Sequence, residues 1–132
     1  MKRLLVGIFV MMTVGCGPSY ETPANALDCG RQFIESIFKG NFKRAKQLML
    51  QDATNDQLLD ERLAQDFRKR NSLDKDQLRN ASIVINEVDN VNDSVTIINF
   101  LNSYDNKTAV LKVVNRNGEW LTDLKYTFSG NF

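Results

Sequence analysis

Few side chains in this sequence are equipped for chemistry. There is no histidine, which removes the commonest general base and the commonest metal ligand together. Two cysteines remain, Cys16 and Cys29. By type alone they could pair with each other, but their settings give them separate fates. Cys29 shares an apolar stripe with Ala26, Gly30, Phe33, Ile34, Ile37 and Phe38, spaced as one face of a helix. A thiol on such a stripe packs as a small apolar group and is inert; an intermolecular disulfide is the alternative. The other polar groups of note are Tyr126, Trp120 and Asn115, which fall on one face of a predicted sheet. No carboxylate accompanies them, because Asp123 falls on the opposite face. An indole and a phenol in that setting pack with a satisfied polar tip. Neither a metal site nor a cofactor is implied.

Cys16 stands in a different context. Met1-Lys2-Arg3 is a positive start, and Leu4 to Val14 is an apolar run. That run is shorter than the ~20 residues needed to span a bilayer as a helix, so it reads as a signal peptide over residues 1–15. The segment Thr13-Val14-Gly15-Cys16 resembles a bacterial lipobox. The resemblance implies cleavage before Cys16 and lipid on its sulfur and its new amine. A bacterial cell-envelope location follows, tethered to the membrane through Cys16, with the outer membrane facing the periplasm as the expected site. The alternative is ordinary cleavage near Gly15 and release as a soluble periplasmic protein. Residues 16–23 form a short linker with two prolines, and residues 24–132 form a single domain. Three Asn-x-Ser/Thr sequons, at Asn80, Asn92 and Asn106, matter only in a eukaryotic secretory pathway.

The charge balance excludes one class of partner. The chain carries 17 basic and 16 acidic residues; setting aside Lys2 and Arg3 leaves 15 against 16. A nucleic-acid binder shows a basic face, and here the one basic run is Arg68-Lys69-Arg70, which reads as the solvated end of a helix.

The stripe containing Cys29 belongs to the first of two helices joined at Lys39-Gly40-Asn41. Gly40 lies where a left-handed cap is needed, and Asn41 can cap the second helix. That helix turns Phe42, Ala45, Leu48 and Met49 inward and ends near Gln51-Asp52. Thr22 and Asn25 are both candidate caps for the first helix. Thr54-Asn55-Asp56-Gln57 reads as a capping box with Thr54 as the cap. It opens a third helix with Leu58, Leu59, Leu63 and Phe67 inward. Asn71 to Arg79 is a polar crossover with one helical turn after Ser72.

Residues 80–128 supply the sheet on which these helices must lie. Asn117-Gly118 is a strong hairpin signal. It sets Arg116 opposite Glu119, Val114 opposite Leu121, Lys112 opposite Asp123 and Leu111 opposite Leu124. A turn at Asp105-Asn106 pairs Phe100 with Leu111 and Ile98 with Val113. A first strand runs from Ala81 to Val88 and is broken by residues 89–93. The expectation is an α+β fold, with three N-terminal helices packed on a curved four-stranded antiparallel meander. Ile98, Phe100, Leu111, Val113, Trp120, Leu124, Tyr126 and Phe128 form its core face. The other face carries Ile97, Leu101, Val110, Val114 and Leu121 among charges. This is too apolar for an ordinary solvated face, which makes these residues a candidate interface with a second copy of the chain.

Three helices, the hinge Phe38-Lys39-Gly40-Asn41-Phe42 with Ala45, and a meander behind a lipobox resemble a family of small bacterial lipoproteins of unknown function. Their fold is similar to the nuclear transport factor 2-like, or cystatin-like, cone. The likeness covers most of residues 24–128. It implies a conical pocket between sheet and first helix, with Phe33, Ile37, Trp120 and Tyr126 as candidate lining. Isomerase-like and dehydratase-like enzymes share that fold and use buried acidic, histidine or tyrosine groups. Three functions are therefore carried forward. The first is a non-enzymatic tethered module binding a small apolar ligand or a partner; the second is a structural dimer in envelope maintenance. The third is an isomerase-like or hydrolase-like enzyme.

Overall fold

The computed structural model describes residues 20–129. The signal peptide and Cys16 lie outside the described residues. The fold is α+β: helices on one face of an open four-stranded antiparallel sheet, in strand order β1-β2-β3-β4.

Helix α1 (Ala26–Phe38) is capped by Asn25, whose side chain accepts from the Asp28 amide, so Asn25 rather than Thr22 starts it. Its stripe of Ala26, Cys29, Gly30, Phe33, Ile34 and Phe38 is buried against the sheet. Gly40 follows at φ 72, a left-handed conformation that an L side chain adopts only with strain. Asn41 then caps α2 (Phe42–Gln47), accepting from the Arg44 amide.

Helix α2 is shorter than the apolar pattern suggested. The chain leaves it at Leu48 because Leu48–Leu50 is claimed by the sheet. Thr122 donates its amide to the Leu48 carbonyl at 2.8 Å, and Leu50 donates to the Thr122 carbonyl at 2.9 Å. This short parallel pairing covers the outer edge of β4. Met49 is fully buried there.

The third helical run, α3, spans residues 53–69. Asp52, not Thr54, is its cap and accepts from the Asn55 amide at 2.8 Å. A π-helical stretch over Leu59–Ala64 interrupts it before Gln65–Lys69 resumes the α form. Leu59 and Phe67 face the core as expected, and Phe67 packs edge-on to Phe42 with centroids 5.7 Å apart. The polar crossover holds a fourth helix, α4 (Ser72–Arg79), of two turns instead of one, capped by Asn71.

In the sheet, β1 (Ile83–Asn92) runs through the segment expected to break it and turns at Asp93-Ser94 into β2 (Val95–Asn102). Strand β3 (Thr108–Arg116) pairs with β4 (Glu119–Asp123) in the expected register: Arg116 meets Glu119, Val114 meets Leu121 and Lys112 meets Asp123. The β2–β3 register differs from expectation by two residues. Ile98 faces Leu111 and Phe100 faces Ala109. The cause is a longer loop: the Asn106 amide donates to the Asn102 carbonyl at 3.0 Å, with Asn106 at φ 56. A shift of two preserves side-chain alternation, so Ile98, Leu111 and Val113 are still buried and Ile97, Leu101, Val110 and Val114 still share the outer face.

Strand β4 stops sooner than expected. Asp123 caps a last short helix, α5 (Leu124–Thr127). Leu124 keeps its place in the core, but Tyr126 and Phe128 leave the sheet face and the Ala109–Tyr126 pair does not form.

Candidate functional site

A cavity of about 290 Å³ opens between the C-terminal half of α1, the end of α3 and the β2–β3 end of the sheet. Each element contributes for a local reason. The α1 stripe places Phe33 and Ile37 on one wall, the α3 run adds Leu63 and Phe67, and alternation along the strands brings Phe100 and Leu111 to the floor. The wall is therefore apolar. Polar groups are confined to Asp66, Arg70, Asn102, Asp105, Lys107 and the threonines Thr108 and Thr127.

Most of these polar groups are already engaged. Arg70 bridges two carboxylates, donating from Nη1 to Asp74 at 3.1 Å and from Nη2 to Asp66 at 3.3 Å. Its side chain is 19% exposed, and its Nε is buried with no hydrogen-bond partner. Burial opposes the Arg70 charge, but Asp66 and Asp74 outweigh it and hold its pKa above the usual value. Tyr104, from the β2–β3 loop, donates its hydroxyl to the second Asp74 oxygen. That bond first, and Arg70 after it, hold the Asp74 carboxyl below the usual range, and the same bond raises the Tyr104 phenol. Asn102 donates to Asp105 at 2.7 Å and accepts from the Tyr104 and Asp105 amides. The loop, α4 and the end of α3 are thus tied together at the cavity mouth.

Of the four side chains expected to line a pocket, Phe33 and Ile37 do so. Trp120 lies elsewhere, where its carbonyl accepts from the Cys29 thiol at 3.3 Å. Tyr126 lies on α5, displaced with the end of β4. Cys29 itself is fully buried, and burial pushes its pKa from 9.0 up to about 12. Sequence reasoning missed Arg70, which it left in a solvated basic run. Arg68 and Lys69 are exposed; the signal separating Arg70 from them was an aspartate four residues to either side.

A second cluster fixes the entry to the domain. Asn41 donates to the Tyr20 hydroxyl at 2.7 Å, and the Arg44 guanidinium sits 4.7 Å from the centroid of the Tyr20 ring. Arg44 also donates to the Glu21 carbonyl at 3.0 Å and to Gln32 at 2.7 Å. On the outer sheet face, Ile97, Leu101, Val110, Val114 and Leu121 are half-buried, and Val84, paired with Leu101, is 41% exposed. Among the described residues no cluster of acidic or cysteine side chains is arranged to hold a metal ion, and no helix is long and apolar enough to cross a membrane.

In comparisons with known proteins, no family model, curated protein or solved structure matches this chain.

Proposed function

We propose that the chain is a lipid-anchored protein of a bacterial cell envelope that binds a small apolar ligand without transforming it. The observation that carries this reading is the apolar cavity of about 290 Å³ under α1, since ligand sites are concave, mostly apolar and furnished with a few polar groups. Its carboxylates support binding over catalysis: Asp66 is held by Arg70 and Asp105 by Asn102. Helices followed by a four-stranded meander also support the cone of the nuclear transport factor 2-like fold. The anchor is Cys16, in the Thr13-Val14-Gly15-Cys16 segment. Only residues 17–19 separate it from Tyr20, which is docked on Asn41 and Arg44. At ~3.5 Å per residue that span holds the domain close to the bilayer, on the outer membrane facing the periplasm.

A second reading, a structural homodimer, draws on a separate observation: the half-buried apolar residues of the outer sheet face.

Native mass spectrometry of the protein extracted from membranes tests the first reading. The expected spectrum shows the chain plus lipid at Cys16 and a further mass lost on activation. Ile37→Trp, which fills the cavity, should abolish that further mass. If it persists unchanged in the variant, the cavity is not the binding site.

A further inference from the structure

We infer that the cavity takes a neutral amphiphile, a short acyl chain ending in an uncharged oxygen acceptor such as an ester carbonyl, recognised by Arg70 through Nε. The inference rests on the binding reading above and adds the chemistry of the ligand. Size sets the chain: about 290 Å³ holds roughly ten groups at ~30 Å³ each, the share of one water. The walls set its character, since Phe33, Ile37, Leu63, Phe67 and Phe100 offer nothing to hydrogen-bond.

The rim sets the head group. Its carboxylates are already used: Asp66 and Asp74 by Arg70, Asp74 again by Tyr104, and Asp105 by Asn102. What is left is a donor, the buried Arg70 Nε, which lacks a partner. A buried donor left unsatisfied is costly, so an acceptor delivered by a ligand gains more here than at a solvated position. Charge then decides which acceptor. The Arg70 guanidinium is shared between two carboxylates, and Tyr104 clamps one of them in place. An anion at Nε would lie beside Asp66 and Asp74 and be repelled by both. An uncharged carbonyl takes the same hydrogen bond without that repulsion.

The test uses the full chain in amphipol and the methyl NMR signals of Ile34 and Ile37, which both line the cavity. Three probes are titrated at pH 8: ethylbenzene, methyl octanoate and octanoate. Ethylbenzene and methyl octanoate should both shift these signals, with octanoate binding about tenfold or more weakly than its ester. Arg70→Lys keeps a cation between Asp66 and Asp74 but removes Nε. It should weaken the ester about fivefold or more, the worth of one buried hydrogen bond, and leave ethylbenzene unchanged. Octanoate binding as tightly as the ester, or an ester affinity untouched by Arg70→Lys, overturns the inference while leaving the binding reading intact. No shift with any probe overturns the binding reading itself. Should Arg70→Lys fail to fold, the ester-to-octanoate ratio on the unaltered chain decides alone.

Discussion

Gly40 shows how one residue position can join two constraints. Its φ of 72 excludes most side chains on backbone grounds, and a Cβ there would meet the Phe67 ring at 2.5 Å. Gly118 has a similar φ of 82 but nothing within 4 Å of its would-be Cβ. Gly118→Ala should therefore cost about 1 kcal/mol, the backbone strain alone. Gly40→Val should cost about 2–4 kcal/mol, strain plus overpacking. Urea midpoints measure both, and equal losses would mean that Phe67 yields without cost. Cys29 allows a second prediction at this scale. Burial first, and Asp28 after it, raise its thiol to about 12, against an opposing effect of Arg44. Since the unfolded thiol ionises near 9.0, its contribution to stability is full below that pH and is lost as pH rises toward 12. The urea midpoint of the unaltered chain should fall more steeply between pH 8 and 10.5 than that of Cys29→Ala. Parallel profiles would mean that the thiol is not protected. The buried stripe holding Cys29 and the left-handed place of Gly40 were legible because both depend on neighbours within one helical turn. Arg70 was not, because its environment is made by Asp74 of the next helix and by Tyr104 of a distant loop.

Elements were legible to the extent that their ends are local. The β3–β4 register followed from Asn117-Gly118, since a two-residue turn leaves one pairing. The β2–β3 register was misjudged by two because Asn102, inside the expected strand, instead organises a longer loop through bonds to Tyr104 and Asp105. The end of β4 was beyond sequence reading for a sharper reason. Asn55, fully buried in the first turn of α3, donates to Asp123 at 3.3 Å and to Asp52 at 3.0 Å, and accepts from the Leu124 amide at 2.8 Å. One amide thus caps the switch from strand to helix from far away in the chain. Asn55→Leu should leave the buried Leu124 amide unpaired and lose about 1–3 kcal/mol. Hydrogen exchange should show α5 losing protection ahead of β3. Uniform loss across both would mean that Asn55 supports the core generally and not this junction.

At the scale of the whole molecule the open question is what meets the outer sheet face. Edge pairing is an unfavourable route to association. Residues Leu48–Leu50 cover the β4 edge. The β1 edge is interrupted by bulges between Ile85 and Glu87 and between Asn90 and Asn92, with Glu87 and Asp89 along it, the devices that discourage strand addition. The face differs: Ile97, Leu101, Val110, Val114 and Leu121 stay together under the observed register, joined by exposed Val84. A symmetric pair of chains would pack this patch against its own copy. Ile97→Asp with Val114→Asp should break such a dimer by placing carboxylates in its centre. The monomer should tolerate the change, because both positions are half-buried and Ile97 lies directly across from Lys112, which would answer the new charge. Sedimentation velocity gives the subunit count, and far-ultraviolet circular dichroism gives the fold. A dimer becoming a folded monomer is the expected result. An unaltered chain that is already monomeric at high concentration sinks the idea, and the apolar face is then a solvated surface with strand propensity alone.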